Sequence, residues 1–245
     1  MSFFNKLAEK VSAWRKPPPP PSPVGNGSFN DNFDTGFLNT NNWIVSNWNA
    51  PGGGIFKPNM IDMSKGVLGL KMTQTKTNGK IVSIGSEIQY AKKCGYGIYE
   101  WTMRASSTAQ TPSARGNSFS GSISGLFNYV TDSATELDFE IEGNHPTVIQ
   151  LTTWSTTRSN QNSSYDMGTP LDGAYHNYKY IWDKGIVQYF IDGLLIATHT
   201  KNVPSTPAYP MINHWGTVDP YWGGTATPGI DRWMWVSNFK FTPKP

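Results

Sequence analysis

Seven consecutive residues, Glu136 to Glu142, alternate without a break between carboxylates and apolar side chains. An extended strand sends Glu136, Asp138, Glu140 and Glu142 to one face and Leu137, Phe139 and Ile141 to the other. The segment therefore reads as a strand with one face in a core and the other crowded with like charge. Four carboxylates in a row repel one another and are a poor choice for stability alone. A solvated charged face would carry scattered countercharges, but no Lys or Arg is interleaved here.

The rest of the chain from Ser28 onward agrees with an all-β fold. Segments 67–72, 97–103, 187–191 and 233–239 read as strands, and Asn78-Gly79 and Asp192-Gly193 are hairpin-type turn signals. No stretch in this region keeps helical periodicity over three turns. Many short strands at this spacing indicate a two-sheet sandwich or barrel, and 245 residues suffice for one large domain of this kind. The 10 Trp, 11 Tyr and 12 Phe suit such strands, and also suit a surface that stacks on the apolar faces of sugars. Ordinary core packing accounts for most of them.

Residues 1–27 differ in character. Phe3, Phe4, Leu7, Val11 and Trp14 recur at three- and four-residue spacing, as in one stripe of a short amphipathic helix. Prolines 17–21 and Ser22-Pro23 follow as a stiff spacer. We expect an amphipathic leader and Pro-rich linker over 1–27, able to meet a surface or partner, before a catalytic domain over 28–245. The leader has no continuous apolar core and no small-residue cleavage site, so it is not a secretory signal of the usual form. No apolar run approaches ~18 residues, so no transmembrane segment is expected. Positive charges are scattered within a net charge of +3, which argues against nucleic acid as a partner. A single cysteine, Cys94, rules out an internal disulfide framework and a cysteine-based metal cluster. It reads as a small packed thiol.

Glycoside hydrolysis is the chemistry that calls for a row of carboxylates. A retaining enzyme needs one ionised carboxylate to attack the anomeric carbon and one protonated carboxyl to protonate the leaving oxygen, ~5–5.5 Å apart. Glu136 and Glu140 are four strand residues apart, or ~13 Å between Cα atoms at ~3.3 Å per residue. Their side chains must lean towards each other over Asp138. That gives the middle carboxyl a use: it can hydrogen-bond to Glu136, and crowded carboxylates hold protons more tightly.

Glu136-Leu137-Asp138-Phe139-Glu140 resembles the E-x-D-x-E signature of glycoside hydrolase family 16, in its regular-strand form. Gly95 to Glu100 is similar to the strand that precedes the active strand in bacterial lichenases. Tyr175 to Tyr178, Ile181-Trp182 and Val187 to Gly193 resemble that family's H-x-Y, W and I-x-x-Y-x-D-G stretch. Asn202 to Pro207 followed by Met211 to Trp215 resembles the lichenase N-I-P-S-T-P and M-N-L-W segments. The resemblance spans residues 28–245. It implies a β-jelly-roll of two antiparallel sheets with a concave substrate groove. It makes Glu136 the nucleophile, Asp138 the assisting carboxyl and Glu140 the acid/base, and gives Glu87, Gln150, Asn213 and Trp215 substrate-binding positions.

The resemblance also has gaps. Ala134, Gln89 and Thr152 stand where lichenases carry Trp, Arg and Asn. Met234 replaces a calcium-binding Asp, so neither a metal nor a cofactor is expected. Residues 108–122, rich in Ser, Gly and Thr with Arg115, look like an insertion that either edges the groove or is a tolerated surface loop. Glu142 lies outside the signature. The function implied is a retaining endo-glycosidase acting on a polysaccharide, a β-1,3-1,4- or β-1,3-glucan or related exopolysaccharide, as an extracellular monomer. Two alternatives stay open: a transglycosylase that remodels β-glucan or xyloglucan, and a non-catalytic carbohydrate-binding protein.

Overall fold

A computed structural model describes residues 27–130, 135–156 and 159–244. The expected leader, save Gly27, lies outside these residues, as does Ala134. The strands are β1 (Phe29–Asp31), β2 (Trp43–Val45), β3 (Ile55–Phe56), β4 (Ile61–Asp62), β5 (Leu68–Thr77), β6 (Lys80–Tyr90), β7 (Gly97–Ser107) and β8 (Ser122–Val130). They continue with β9 (Thr135–Glu142), β10 (Val148–Thr156), β11 (Ser159–Asp166), β12 (His176–Asp183), β13 (Ile186–Ile191), β14 (Leu194–His199), β15 (Tyr209–Gly216) and β16 (Arg232–Pro243). Helix among the described residues is confined to two short 3-10 turns.

The hydrogen-bonded path runs β11-β10-β9-β8-β15-β6-β5-β16-β7-β12-β13-β14 and doubles back at the β5–β6 hairpin. Residues 86–89 of β6 pair with β15, while residues 80–84 pair with β5. Residues 68–72 of β5 then pair with β16. One hairpin is thus shared between two stacked sheets, and every pairing on this path is antiparallel. We call β11-β10-β9-β8-β15-β6 the acidic sheet and β5-β16-β7-β12-β13-β14 the back sheet. The predicted turns are present: Asn78 (φ 50°) with Gly79 (φ 78°), and Asp192 (φ 49°) with Gly193 (φ 85°). Two successive left-handed residues match the right-handed twist of the strands they join, which is why Asn-Gly and Asp-Gly serve there. Asp192 also accepts from the Asn177 N–H at 2.7 Å and bonds His176 Nδ1 at 2.7 Å, fixing the hairpin against β12.

The apolar side of β9 lies in the core. Leu137, Phe139 and Ile141 are buried, together with Tyr99, Trp101 and Met103 of β7 and Tyr178, Tyr180 and Trp182 of β12. Tyr99 and Trp101 therefore face inward. Phe139 meets Tyr189 edge-on at 5.2 Å and Tyr178 at 5.5 Å. Removing a buried aromatic ring of this kind costs about 3–5 kcal/mol. Some polar groups that cross the core are paired, while others, such as the Tyr178 hydroxyl and Trp101 Nε1, have no hydrogen-bond partner among the described residues. Tyr180 donates to Asn128 Oδ1 at 2.6 Å, and His214 bridges the Leu70 carbonyl (2.8 Å) and Ser106 Oγ (2.9 Å). Burial pushes the His214 pKa down to about 3. Cys94 is the packed thiol expected, fully buried and pushed up to about 12 by that burial. Met234 is a core residue.

Candidate active site

Strand register arranges the acidic face in rows running across the sheet. Glu136 lies between Trp154 of β10 and Tyr129 of β8, with Tyr209 of β15 beyond. Asp138 lies between Thr152 and Phe127, followed by Met211 and Gln89. Glu140 lies between Gln150 and Gly125, followed by Asn213 and Glu87. Glu142 lies beside Ile123, followed by Trp215. At ~4.8 Å between strands, the Gln150–Glu87 row spans ~19 Å, enough to underlie several sugar rings. Glu87, Gln150 and Asn213, picked out separately in the sequence, thus share one row with Glu140.

Exposure separates the carboxylates. Glu136 and Glu140 are partly exposed, while Asp138 between them is 5% exposed. Two carboxyls therefore reach the surface of the face and flank one held within it. Both outer groups and Asp138 are engaged in contacts with their surroundings. Alongside the Glu136 end, Phe127, Tyr129, Tyr209 and Met211 form an apolar patch on the same face. Beyond Glu142, Ile123, Trp215 and Trp222 pack with Ala50 and Phe56, and Trp48 leans on them.

Glu87 is buried, and its carboxylate binds three donors. Ser46 Oγ (2.8 Å) and Trp48 Nε1 (3.2 Å) donate to Oε1, and Asn213 Nδ2 donates to Oε2 at 3.1 Å. The Asn213 Oδ1 atom, buried, has no hydrogen-bond partner among the described residues and sits against Gly125. Gln150 Nε2 donates to Glu142 Oε1 at 3.0 Å. Trp215 occupies a face position in register but is only 3% exposed, packed beneath Trp222. The sequence motifs include neither Trp48 nor Trp154, and they give Glu142 no role beyond continuing the acidic face. Trp154 was within reach of the alternation argument, because it shares the Gln150 parity on β10 and lies cross-strand from Glu136.

One wall of the face is built from the residues that follow β15. Thr217 Oγ1 accepts from Asp219 N, Asp219 Oδ1 accepts from Tyr221 N, and the Asp219 carbonyl accepts from Trp222 N, each at 3.0 Å. Tyr221 stands 78% exposed on this loop. The insertion-like residues 108–122 brace it: Gly121 N donates to the Gly223 carbonyl at 2.6 Å and Ser120 Oγ to the Thr225 carbonyl at 2.7 Å. Arg104, buried on β7, pins the insertion by donating to the Ala114 (2.7 Å) and Thr111 (3.1 Å) carbonyls. Burial lowers the Arg104 pKa, with Tyr175 and Asp172 opposing that shift. Arg115 itself is exposed.

The family model for glycosyl hydrolases family 16 matches residues 54–234, about three quarters of the chain. The chain belongs to glycosyl hydrolase family 16. Among curated proteins it is 29% identical to a beta-glucanase of Bacillus subtilis (strain 168) over 144 residues, covering 57% of this chain and 51% of that protein. A beta-glucanase of Paenibacillus polymyxa is 27% identical, with 67% of this chain and 62% of the relative covered. An endo-1,3-1,4-beta-glycanase of Rhizobium meliloti (strain 1021) is 26% identical over 199 residues, 78% of this chain and 69% of its own length. The chain thus spans about half to two thirds of the curated relatives it matches. The solved structure of a Bacillus licheniformis beta-glucanase superposes with a TM-score of 0.76 at 24% identity, covering 89% of this chain and 99% of that one. The sandwich is therefore the β-jelly-roll of this glycosyl hydrolase family. Among its described residues, no helix is long and apolar enough to cross a membrane.

Proposed function

We propose that this family 16 chain is a retaining endo-glycosidase that hydrolyses internal linkages of a β-glucan. The observation that carries the reading is the acidic strand: two partly exposed glutamates flank a buried aspartate on the open face of the sheet. The beta-glucanase and endo-1,3-1,4-beta-glycanase relatives support a mixed-linked or β-1,3-glucan as the substrate class. In this reading the Glu136 carboxylate attacks the anomeric carbon while Glu140 gives its proton to the departing glycosidic oxygen. The C–O bond breaks and a glycosyl ester forms on Glu136. Glu140, now ionised, takes a proton from water as that water attacks the anomeric carbon of the ester, which breaks the bond to Glu136, restores its carboxylate and releases a product of retained configuration.

Asp138 contributes from within the face, where its charge opposes a second negative charge nearby. Glu87, Gln150 and Asn213 form a polar rail for sugar hydroxyls, and Trp215 stiffens the wall from below. A polysaccharide of this size meets the enzyme outside the cell, which makes the enzyme extracellular in this reading. The test is product analysis on lichenan, laminarin, xyloglucan and a succinoglycan-like polymer. We expect shortened oligosaccharides from lichenan or laminarin, with proton NMR showing the β-anomer before mutarotation. Initial α-product would mean inversion, and lengthened chains would mean transglycosylation.

A further inference from the structure

Glu142 continues the acidic face one alternation beyond Glu140, and its carboxylate is buried at 4% exposure. Oε1 accepts from Gln150 Nε2 at 3.0 Å, and Oε2 accepts from the Gly223 backbone N–H at 2.6 Å. Gln150 is the cross-strand partner of Glu140, and Gly223 lies on the wall loop over residues 217–224. A single side chain thus joins the strand bearing Glu140, the neighbouring strand and the wall. A glutamine could occupy the same volume and accept the Gly223 N–H. What the carboxylate adds is a second acceptor and a charge, and burying a charge is costly when a neutral group would serve.

We propose that Glu142 is a positioning residue for this reaction, orienting Gln150 beside Glu140, holding the 217–224 wall on the acidic face, and setting a fixed negative charge beside the acid/base. The inference rests on Glu140 being that acid/base. As an ionised carboxylate Glu142 only accepts, so it turns the Gln150 NH2 towards itself. Two residues apart on one strand face, Glu140 and Glu142 have Cα atoms ~6.6 Å apart. A like charge at that distance favours the protonated form of Glu140, which the first chemical step requires.

The groups around Glu142 are few. Its own strand offers Glu140 and Asp138, the following turn offers His145, with Nδ1 at 3.8 Å and largely exposed, and the wall touches it through the Gly223 N–H, the one charged residue of 217–224 being Asp219. Strands β10 and β8 present neutral Gln150, Val148 and Ile123. Removing the Glu142 charge therefore makes Glu140 lose its proton at lower pH. The alkaline limb of the rate profile then moves to lower pH.

The test compares Glu142→Gln with wild type in the pH dependence of kcat/KM, on whichever soluble glucan the wild type cleaves best. Circular dichroism and thermal melting establish that the variant is folded. We expect the alkaline limb to fall by about half a pH unit or more, with a loss of roughly tenfold in kcat/KM at its optimum. A folded variant with the wild-type limb and rate overturns the proposal. Glu142→Asp carries the test if the first variant fails to fold. It keeps the charge and shortens the reach, so its limb must stay in place while KM for polymer rises; a shifted limb or an unchanged KM overturns the proposal. Wild-type protein with no turnover above a Glu136→Gln background would instead defeat the glucanase reading itself.

Discussion

Glu136 and Glu140 present carboxyls to solvent from a strand whose other side is locked by Leu137, Phe139 and Ile141. In the proposed role of nucleophile, Glu136 held this way should be replaceable by an external anion without loss of fold. Glu136→Gln is expected to keep its melting temperature and lose several orders of magnitude in turnover. Azide or formate should restore product formation by Glu136→Gly from an activated aryl donor. Near-wild-type rates in the glutamine variant would remove Glu136 from the nucleophile's role. These carboxylates were legible in the sequence because their arrangement is local, set by alternation along one strand. The partner of Glu142 was not, because Gly223 is 81 residues away and only the folded sheet brings them together. The burial of Trp215 was equally hidden, since nothing near it in sequence announces that Trp222 and residues 50–56 will cover it.

Strands β8 and β15 meet where Glu140's row crosses the sheet, and the contact is tight at Gly125. A methyl group added there would lie 2.4 Å from Asn213 Oδ1, inside any real contact distance. Asn213 must then move, and with it the bond from its Nδ2 to Glu87. Gly125→Ala is therefore expected to cost roughly tenfold or more in kcat/KM through displaced groove residues, with melting largely unchanged. A wild-type rate in steady-state assays would show that this row does not touch substrate. Hairpins such as 78–79 and 192–193 were readable because two residues dictate the turn. The insertion over 108–122 was readable only as an interruption. Its role as a brace depends on Arg104 of β7 and on Trp235 Nε1, which donates to the Ala109 carbonyl at 2.9 Å from 126 residues away.

For the molecule as a whole, the sequence made the two-layer all-β architecture legible, because composition, alternation and turns point the same way. The β5–β6 hairpin belonging to both sheets was not, since pairing partners along a strand leave no local signal. The path of the chain also bears on the leader. Strand β1 pairs with β16 in the back sheet, so residue 27 enters the fold on the layer opposite the acidic face. Deleting residues 1–23 is accordingly expected to leave kcat on a soluble oligosaccharide within about twofold. Its effect should appear in association with a surface or partner, where burying the Phe3, Leu7, Val11 and Trp14 stripe contributes about 25 cal/mol per Å². A folded truncated enzyme that no longer turns over oligosaccharide would place the leader in the groove or its support.

Strand β16 lies in the middle of the back sheet, between β5 and β7, and its Arg232 pairs with Met72. Synthesis runs from the N-terminus, so when β5 and β7 leave the ribosome the strand that belongs between them has not been translated. The nascent chain must carry two unmated edges through the translation of more than a hundred further residues, and such edges invite pairing with other chains. Closing the layer last, across so long a stretch of chain, is also a slow step by contact order. The folding of this domain is thus timed by β16: until residues 232–243 arrive, the acidic sheet has no finished layer to pack against.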